Sequence, residues 1–148
     1  MASETGLAER YLIPLLRGLT TGVGTRWYNE APPAGANVEP VTGNPRLYGL
    51  IRWIAGTPVD LIGPYRGGSD QRYIIEVLRT GSSFSDLNDA YDIVDAALHA
   101  SKGVIPGKPG FIVAVIFQAD WKQLTVRDGV HLARLGGEYK VLIESNRP

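Results

Sequence analysis

Apolar residues recur at helical spacing between Leu87 and Leu98, and this pattern constrains the fold more than any other feature of the sequence. The apolar stripe consists of Leu87, Ala90, Tyr91, Val94, Ala97 and Leu98. Four aspartates at steps of three lie outside that arc, namely Asp86, Asp89, Asp92 and Asp95. We therefore predict a helix over 86–98 that buries one side against another layer and presents an acidic face to solvent. Ser83, three residues before Asp86, predicts a capping box at its start.

The remaining segments alternate between helical and strand-like patterns. A leucine stripe predicts a first helix from Thr5 to about Leu19, which Pro14 should kink or shorten. The predicted strands are Thr25–Tyr28, Leu47–Ala55, Gln71–Arg79, Phe111–Phe117 and a last one around Tyr139–Ile143. We expect Phe111–Phe117, a continuous apolar run, to be a central strand, and we place Gly136 and Gly137 in a connection after Trp121.

This order of elements predicts the fold class. A chain of 148 residues is long enough for one buried core, so we expect a single domain over residues 1–148. One helix, three strands, a second helix and two more strands suit an α+β fold. We predict one mainly antiparallel sheet of about four to five strands, with two main helices packed on one face and long Pro/Gly loops.

Two long loops interrupt the pattern. The segment Glu30–Pro45 carries six residues of proline or glycine among sixteen, and Gly56–Asp70 is similarly rich in both. Loops of this length are uncommon unless they are functional or disordered. We expect both of them to order against a neighbouring protein.

Composition excludes several classes of function. Fifteen Lys and Arg against fifteen Asp and Glu give no net charge, which argues against a general nucleic-acid binder. The absence of Cys removes disulfides and thiol chemistry, and two histidines without such partners do not suggest a metal site. The longest apolar run is far too short to span a membrane, and no export signal precedes it. We expect a soluble protein with no membrane partner.

None of the candidate motifs has the residues and spacing that catalysis or cofactor binding requires. The fragment from Gly103 to Lys108 resembles a phosphate-binding loop, but it has three residues between its glycines, lacks the following Ser or Thr, and precedes a strand. The four aspartates are spread along a helix and do not converge on one point. We therefore predict no catalytic residue, no cofactor and no metal. The three tryptophans, Trp27, Trp53 and Trp121, are interpreted as core residues of the sheet or its rim.

Several segments together resemble the tail terminator, or tail completion, proteins of long-tailed bacteriophages. They are the N-terminal helix, the run Arg26–Glu30 leading into Pro32 and Pro33, the strands at 47–55 and 73–78, and the helix at 86–98. The ending Leu132–Val141 also resembles actinophage-type members, and its Gly136-Gly137-Glu138-Tyr139 core is the sharpest match. The loop after Glu30 is longer than the usual short proline turn.

The resemblance implies a structural virion protein. It implies a homo-oligomeric ring, a hexamer in the family, that caps the head-proximal end of the tail tube, stops tube polymerisation and meets the head–tail connector or stopper protein. Such a ring is assembled in the host cytoplasm, and genome DNA only passes through its channel. The alternatives are a neck adaptor or stopper ring and, more remotely, a small α+β enzyme.

The resemblance also suggests which residues to test. The candidate ring or tube contacts are Trp27, Tyr28, Glu30, Pro32, Pro33, Tyr65, Arg66 and Lys108. The candidate channel-facing residues are Asp86, Asp89, Asp92 and Asp95, whose negative charge would keep DNA from adhering.

Overall fold

The computed structural model describes residues 7–59, 68–105 and 110–144. Two helices and six strands follow one another along the chain: α1 (Leu7–Arg17), β1 (Trp27–Asn29), β2 (Tyr48–Val59), β3 (Gly68–Thr80), α2 (Ser85–His99), β4 (Gly103–Val104), β5 (Phe111–Arg127) and β6 (Val130–Glu144). Within the described ranges, neither helix is long and apolar enough to cross a membrane.

The six strands form one sheet in the order β1-β2-β3-β6-β5-β4. Among the described strands only the β1–β2 pair is parallel, and the other four pairs are antiparallel. β3 and β6 lie in the middle and pair with each other along the whole of β3. The α+β fold with one mainly antiparallel sheet and two main helices is thus confirmed, while the two-residue β4 is a strand that the sequence pattern did not predict.

The two faces of this sheet are covered differently. Successive side chains of a strand point to opposite faces, so Tyr73 and Tyr139 face one side while Glu76 and Arg134 face the other. Both helices contact the first side, through Glu9 of α1 with Tyr73 and Asp95 of α2 with Tyr139. We call this the helix face. The opposite, open face carries a separate small cluster made only of strand residues: Tyr28, Tyr48, Leu50, Leu78 and Leu132.

The β5–β6 hairpin corrects the largest error in the sequence-based prediction. β5 does not end at Phe117 but continues to Arg127, and Gly136 and Gly137 lie inside β6 rather than in a connection. Asp128 and Gly129 both have positive φ, 53° and 77°, which is the two-residue turn that joins right-twisted strands most favourably. The polar residues after Trp121 belong to a strand because this turn sets the register of a long hairpin.

β5 also lies nearer the edge of the sheet than expected. Its outer side pairs with β4 only at Phe111 and Ile112, and none of the other described strands continues that pairing. Two register shifts, between Ile112 and Ala114 and between Phe117 and Ala119, interrupt its regular ladder with β6. The apolar run at 111–117 is therefore half-exposed rather than buried on both sides.

Smaller differences concern element ends. β2 continues to Val59 and β3 begins at Gly68, so part of the predicted loop at 56–70 is strand. Residues 60–67 of that loop lie outside the described ranges. The N-cap of α2 is Phe84, which makes no side-chain capping hydrogen bond. The predicted capping box is wrong, because Asp86 forms an ion pair with Arg79 instead. α1 continues through Pro14, beyond the point where we expected it to be shortened.

Candidate interaction surfaces

A buried carboxylate lies at the centre of the open face. The Glu76 side chain is fully buried between two arginines from the neighbouring strands on either side. Arg134 of β6 donates from Nη2 and, across 3.2 Å, from Nε to Glu76 Oε1. Arg52 of β2 reaches Oε2 across 3.4 Å. We call these residues, with Trp121 of β5, the arginine cluster. One carboxylate between two guanidinium groups leaves the cluster with one surplus positive charge.

The arginine cluster has more hydrogen-bond donors than acceptors. Each guanidinium carries five N–H donors and no acceptor. Arg52 Nε and Trp121 Nε1 are buried without a hydrogen-bond partner. Nevertheless, the Arg52 side chain as a whole is about a third exposed, with 30% of its surface accessible, and Arg134 keeps 19%. The exposed edges of the guanidinium groups are therefore available to an external acceptor.

Gly136 makes this arrangement possible. In the sheet it lies opposite both Glu76 and Trp121, so a larger residue would separate them. A Cβ at Gly136 would stand 2.1 Å from the Ile75 carbonyl oxygen, which no side chain tolerates. The space left above the glycine lets the Arg52 guanidinium approach the Trp121 ring, 5.6 Å from its centroid, where a cation–π attraction applies.

On the helix face, a chain of hydrogen bonds fixes α2 to the sheet. Tyr139 donates to Asp95 Oδ1 across 2.5 Å, and the hydroxyls of Tyr91 and Tyr139 are 2.6 Å apart. His99 Nε2 lies 3.4 Å from the same carboxylate oxygen. Burial raises the pKa of Tyr91 to about 12 and, together with the bond to Asp95, raises that of Tyr139 still further. Both tyrosines are therefore neutral donors at physiological pH, which suits a structural network.

The four aspartates of α2 therefore do not form one uniform acidic face. Asp95 is half-buried and accepts from Tyr139, and Asp86 pairs with Arg79. Asp89 and Asp92 are exposed, and no cation of the described residues pairs with them. Beside them, Ile93 is 43% exposed. An open groove of about 400 Å³ adjoins this surface, lined by Thr20, Thr21, Gly22, Leu47, Asp86, Asp89, Ala90 and Ile93.

The predicted contacts around β1 differ in how far they are exposed. Trp27 is fully buried in the core against Gly49, so it positions β1 and offers no surface to a partner. Tyr28 is half-buried, and Glu30, Pro32 and Pro33 are exposed. Glu30, at φ 69°, accepts a hydrogen bond from the Trp53 backbone N–H across 2.9 Å. Its carboxylate thereby covers the edge of β2 just beyond the point where β1 ends.

The loop after β1 is stabilised by hydrogen bonds between its own residues. The Glu39 carboxylate accepts from the backbone N–H of Val41 and Thr42 and from the Thr42 hydroxyl, and these bonds lower its pKa. Val38 and Pro45 form an isolated bridge that closes the loop. At its tip, Val41 is 91% exposed, the most exposed large apolar side chain described. Val41 was not among the contacts predicted from the sequence, because a lone valine in a polar loop belongs to no periodic pattern.

The arginine cluster was not predicted from the sequence. Its residues Glu76, Arg52 and Arg134 come from three strands, so only knowledge of the strand register could have revealed that they meet. Of the three tryptophans interpreted as residues of the core or of its rim, Trp27 is fully buried, Trp121 is partly exposed and Trp53 is 40% exposed. The Trp53 indole donates to Gln71 across 2.7 Å. The remaining predicted contacts, Tyr65, Arg66 and Lys108, lie outside the described residues. No group of side chains suited to a metal ion occurs among the described residues.

Comparison with known proteins gives a match in structure but not in sequence. No protein-family model matches the chain, and no curated protein sequence does. The fold is similar to that of a chain in the virion of a native gene transfer agent particle. The TM-score is 0.64 at 18% sequence identity, and the match covers 96% of this chain and 99% of the other. At this identity the likeness is one of fold, and it extends over nearly the whole of both chains.

Proposed function

We propose that this chain is a structural virion protein that forms a ring at the head-proximal end of a phage tail tube. In this role it ends tube polymerisation and joins the tail to the head connector. The observation that carries the proposal is the end-to-end likeness in fold to a gene transfer agent virion chain. The match covers 96% and 99% of the two chains, so the likeness in fold extends over nearly all of both.

The surfaces of the chain suit a role in assembly. The arginine cluster lies on the open face, the free carboxylates of Asp89 and Asp92 belong to α2 on the helix face, and Val41 adds an exposed apolar tip. A head-to-tail contact between identical subunits uses two different surfaces and closes into a ring when the rotation closes. Four of the predicted contacts, Tyr28, Glu30, Pro32 and Pro33, lie in the edge strand β1 or directly after it in the chain. We assign this edge of the sheet to the ring or tube contact.

The acidic face of α2 could serve such a ring in two positions. Facing the channel, Asp89 and Asp92 would repel passing DNA, which is the role we expected for all four aspartates. Facing the next subunit, the same two carboxylates would meet a positive surface. The two positions differ in the effect they predict for charge substitutions: only the second one makes assembly depend on Asp89 and Asp92.

Electron microscopy of tails tests the proposed function. Lysates of the source phage lacking this protein should contain overlong tails without heads, and supplying the protein in trans should restore normal length. Tails of normal length beside unjoined, filled heads would instead assign the chain to the neck as an adaptor or stopper. Unaffected virions would contradict a structural role and revive the enzyme alternative.

A further inference from the structure

We propose that Asp89 and Asp92 of one copy bind the arginine cluster of the next copy, and that this ion-pair contact joins the subunits head to tail. The inference deepens the proposed function, since it rests on a ring of identical subunits and names the two surfaces that meet in it. It commits to a second copy of this chain as the occupant of the open face.

The first step is the imbalance within the arginine cluster. Arg52 and Arg134 share the single carboxylate of Glu76, and the buried donors Arg52 Nε and Trp121 Nε1 have no acceptor. Buried donors without partners are costly, and native proteins generally satisfy them. A carboxylate that arrives at the exposed edge of Arg52 would neutralise the surplus charge. Arg52 could then turn its unpaired N–H groups toward that carboxylate, so the cluster suits an acidic side chain.

The second step is that the chain carries a matching acidic surface. Asp89 and Asp92 are exposed and have no cation partner among the described residues, whereas Asp86 and Asp95 are engaged within their own subunit. Ile93 beside them adds apolar surface. The pair of free aspartates thus matches the surplus positive charge of the two guanidinium groups.

The third step is topology. The acidic surface belongs to α2 on the helix face, while the arginine cluster lies on the opposite side of the sheet. One copy cannot bring its own two surfaces together, because the sheet stands between them. A second copy can, and because the two surfaces differ, the contact propagates from copy to copy instead of ending at a dimer.

A double-mutant cycle tests the contact. Sedimentation of the full chain should show assemblies that weaken as salt rises, since exposed charges are screened. D89N/D92N and R52A should each weaken assembly by about tenfold or more. Their combination should be no worse than either alone, because both changes remove the same contact. The control D128N removes one exposed carboxylate at the turn between β5 and β6 and should assemble like the unmodified chain.

Engineered cysteines give a second readout that does not depend on the strength of the contact. The chain has no cysteine of its own. Mild oxidation of D89C/R52C should therefore produce a ladder of covalent multimers on a denaturing gel, whereas D89C alone and R52C alone should give at most dimers. Circular dichroism and thermal unfolding verify that each variant is folded.

Three outcomes would overturn the inference. They are assembly by D89N/D92N equal to that of the unmodified chain, additive effects of the two sets of substitutions, and a chain that stays monomeric at every salt concentration. Unimpaired assembly by D89N/D92N would leave the ring intact and favour the channel position of the acidic face. Failure of the ring itself is recognised separately, by tail lengths in the complementation experiment.

Discussion

The Tyr139 hydroxyl on β6 donates a hydrogen bond to Asp95 Oδ1 on α2 across 2.5 Å, and the Tyr91 hydroxyl completes the chain from the same helix. Sheet and helix are thus joined by polar groups in a region that is otherwise apolar. Inside a protein, such a network is favourable only when every member has a partner, so removing one member leaves the others unsatisfied.

Tyr139→Phe removes the central hydroxyl of this network. We expect a loss of about 1–3 kcal/mol in the free energy of unfolding, because Asp95 and Tyr91 each lose a partner in a buried setting. Urea denaturation monitored by circular dichroism measures it. Tyr11→Phe is the matched control, since its hydroxyl donates to the Lys102 carbonyl in an exposed position and should cost less. Equal losses in the two variants would show that the network adds no more to stability than one exposed hydrogen bond does.

The arginine cluster predicts an order of stabilities. Glu76→Ala should cost about 3–5 kcal/mol, because it leaves two guanidinium groups without their buried counter-charge. Arg52→Ala should cost about 1 kcal/mol or less, since Arg134 still neutralises Glu76 and the Arg52 bond is long, at 3.4 Å, and partly exposed. Chemical denaturation of the two variants measures the order. The reverse order would mean that Arg52 stabilises the sheet mainly through contacts other than its bond to Glu76, such as its contact with the Trp121 ring.

Glu9 predicts a pH dependence. Its burial raises its pKa above the ordinary value of 4.5 while it accepts a hydrogen bond from Tyr73 across 3.0 Å. The native state therefore keeps the proton longer than the unfolded chain does. The resulting contribution to stability is fully present below pH 4.5 and is lost as pH rises through the higher pKa of the folded state.

Glu9→Gln should abolish this dependence, because the amide does not titrate and its oxygen can still accept from Tyr73. Relative to the unmodified chain, the variant should gain stability between about pH 4.5 and neutrality, measured by unfolding at each pH. A difference between the two proteins that stays constant over this range would contradict the effect of burial on Glu9.

Gly136→Ala should prevent the native sheet from forming or destabilise it severely. The new Cβ would meet the Ile75 carbonyl oxygen at 2.1 Å, and backbone atoms cannot move aside as a flexible side chain can. Gly129→Ala is the control: it sits at φ +77° in open space, so only backbone strain of about 1–2 kcal/mol applies. Thermal unfolding of both variants measures the contrast. A mild effect at Gly136 would mean that β3 and β6 can separate locally.

Val41→Asp tests the exposed loop tip. The side chain touches little of its own subunit, so stability should be unchanged, whereas a partner that covers Val41 would lose apolar contact. We expect weaker complementation in the tail-length experiment with normal thermal unfolding. Full complementation would exclude the Val41 tip from the assembled interface.

The sequence predicted those parts of the fold that repeat locally. Helical spacing located α2 within one residue at each end, and alternation located β2 and β3 at their centres. It failed at β5, where an apolar run suggested a central strand and a polar continuation suggested a loop. Both errors arise because hairpin register and edge position depend on the partner strand, which no local pattern contains. The arginine cluster escaped prediction for the same reason, since Arg52, Glu76 and Arg134 meet only through that register.

The interrupted outer edge of β5 bears on whether other chains can add strands to this sheet. A long bare strand edge is a template on which other chains can add strands without limit. Two bulges twist the edge of β5 away from a flat ladder, and Lys122 and Arg127 place charge along it. Strand addition along this edge is thereby discouraged, so a partner that meets β5 there would have to bind through side chains and not through the backbone.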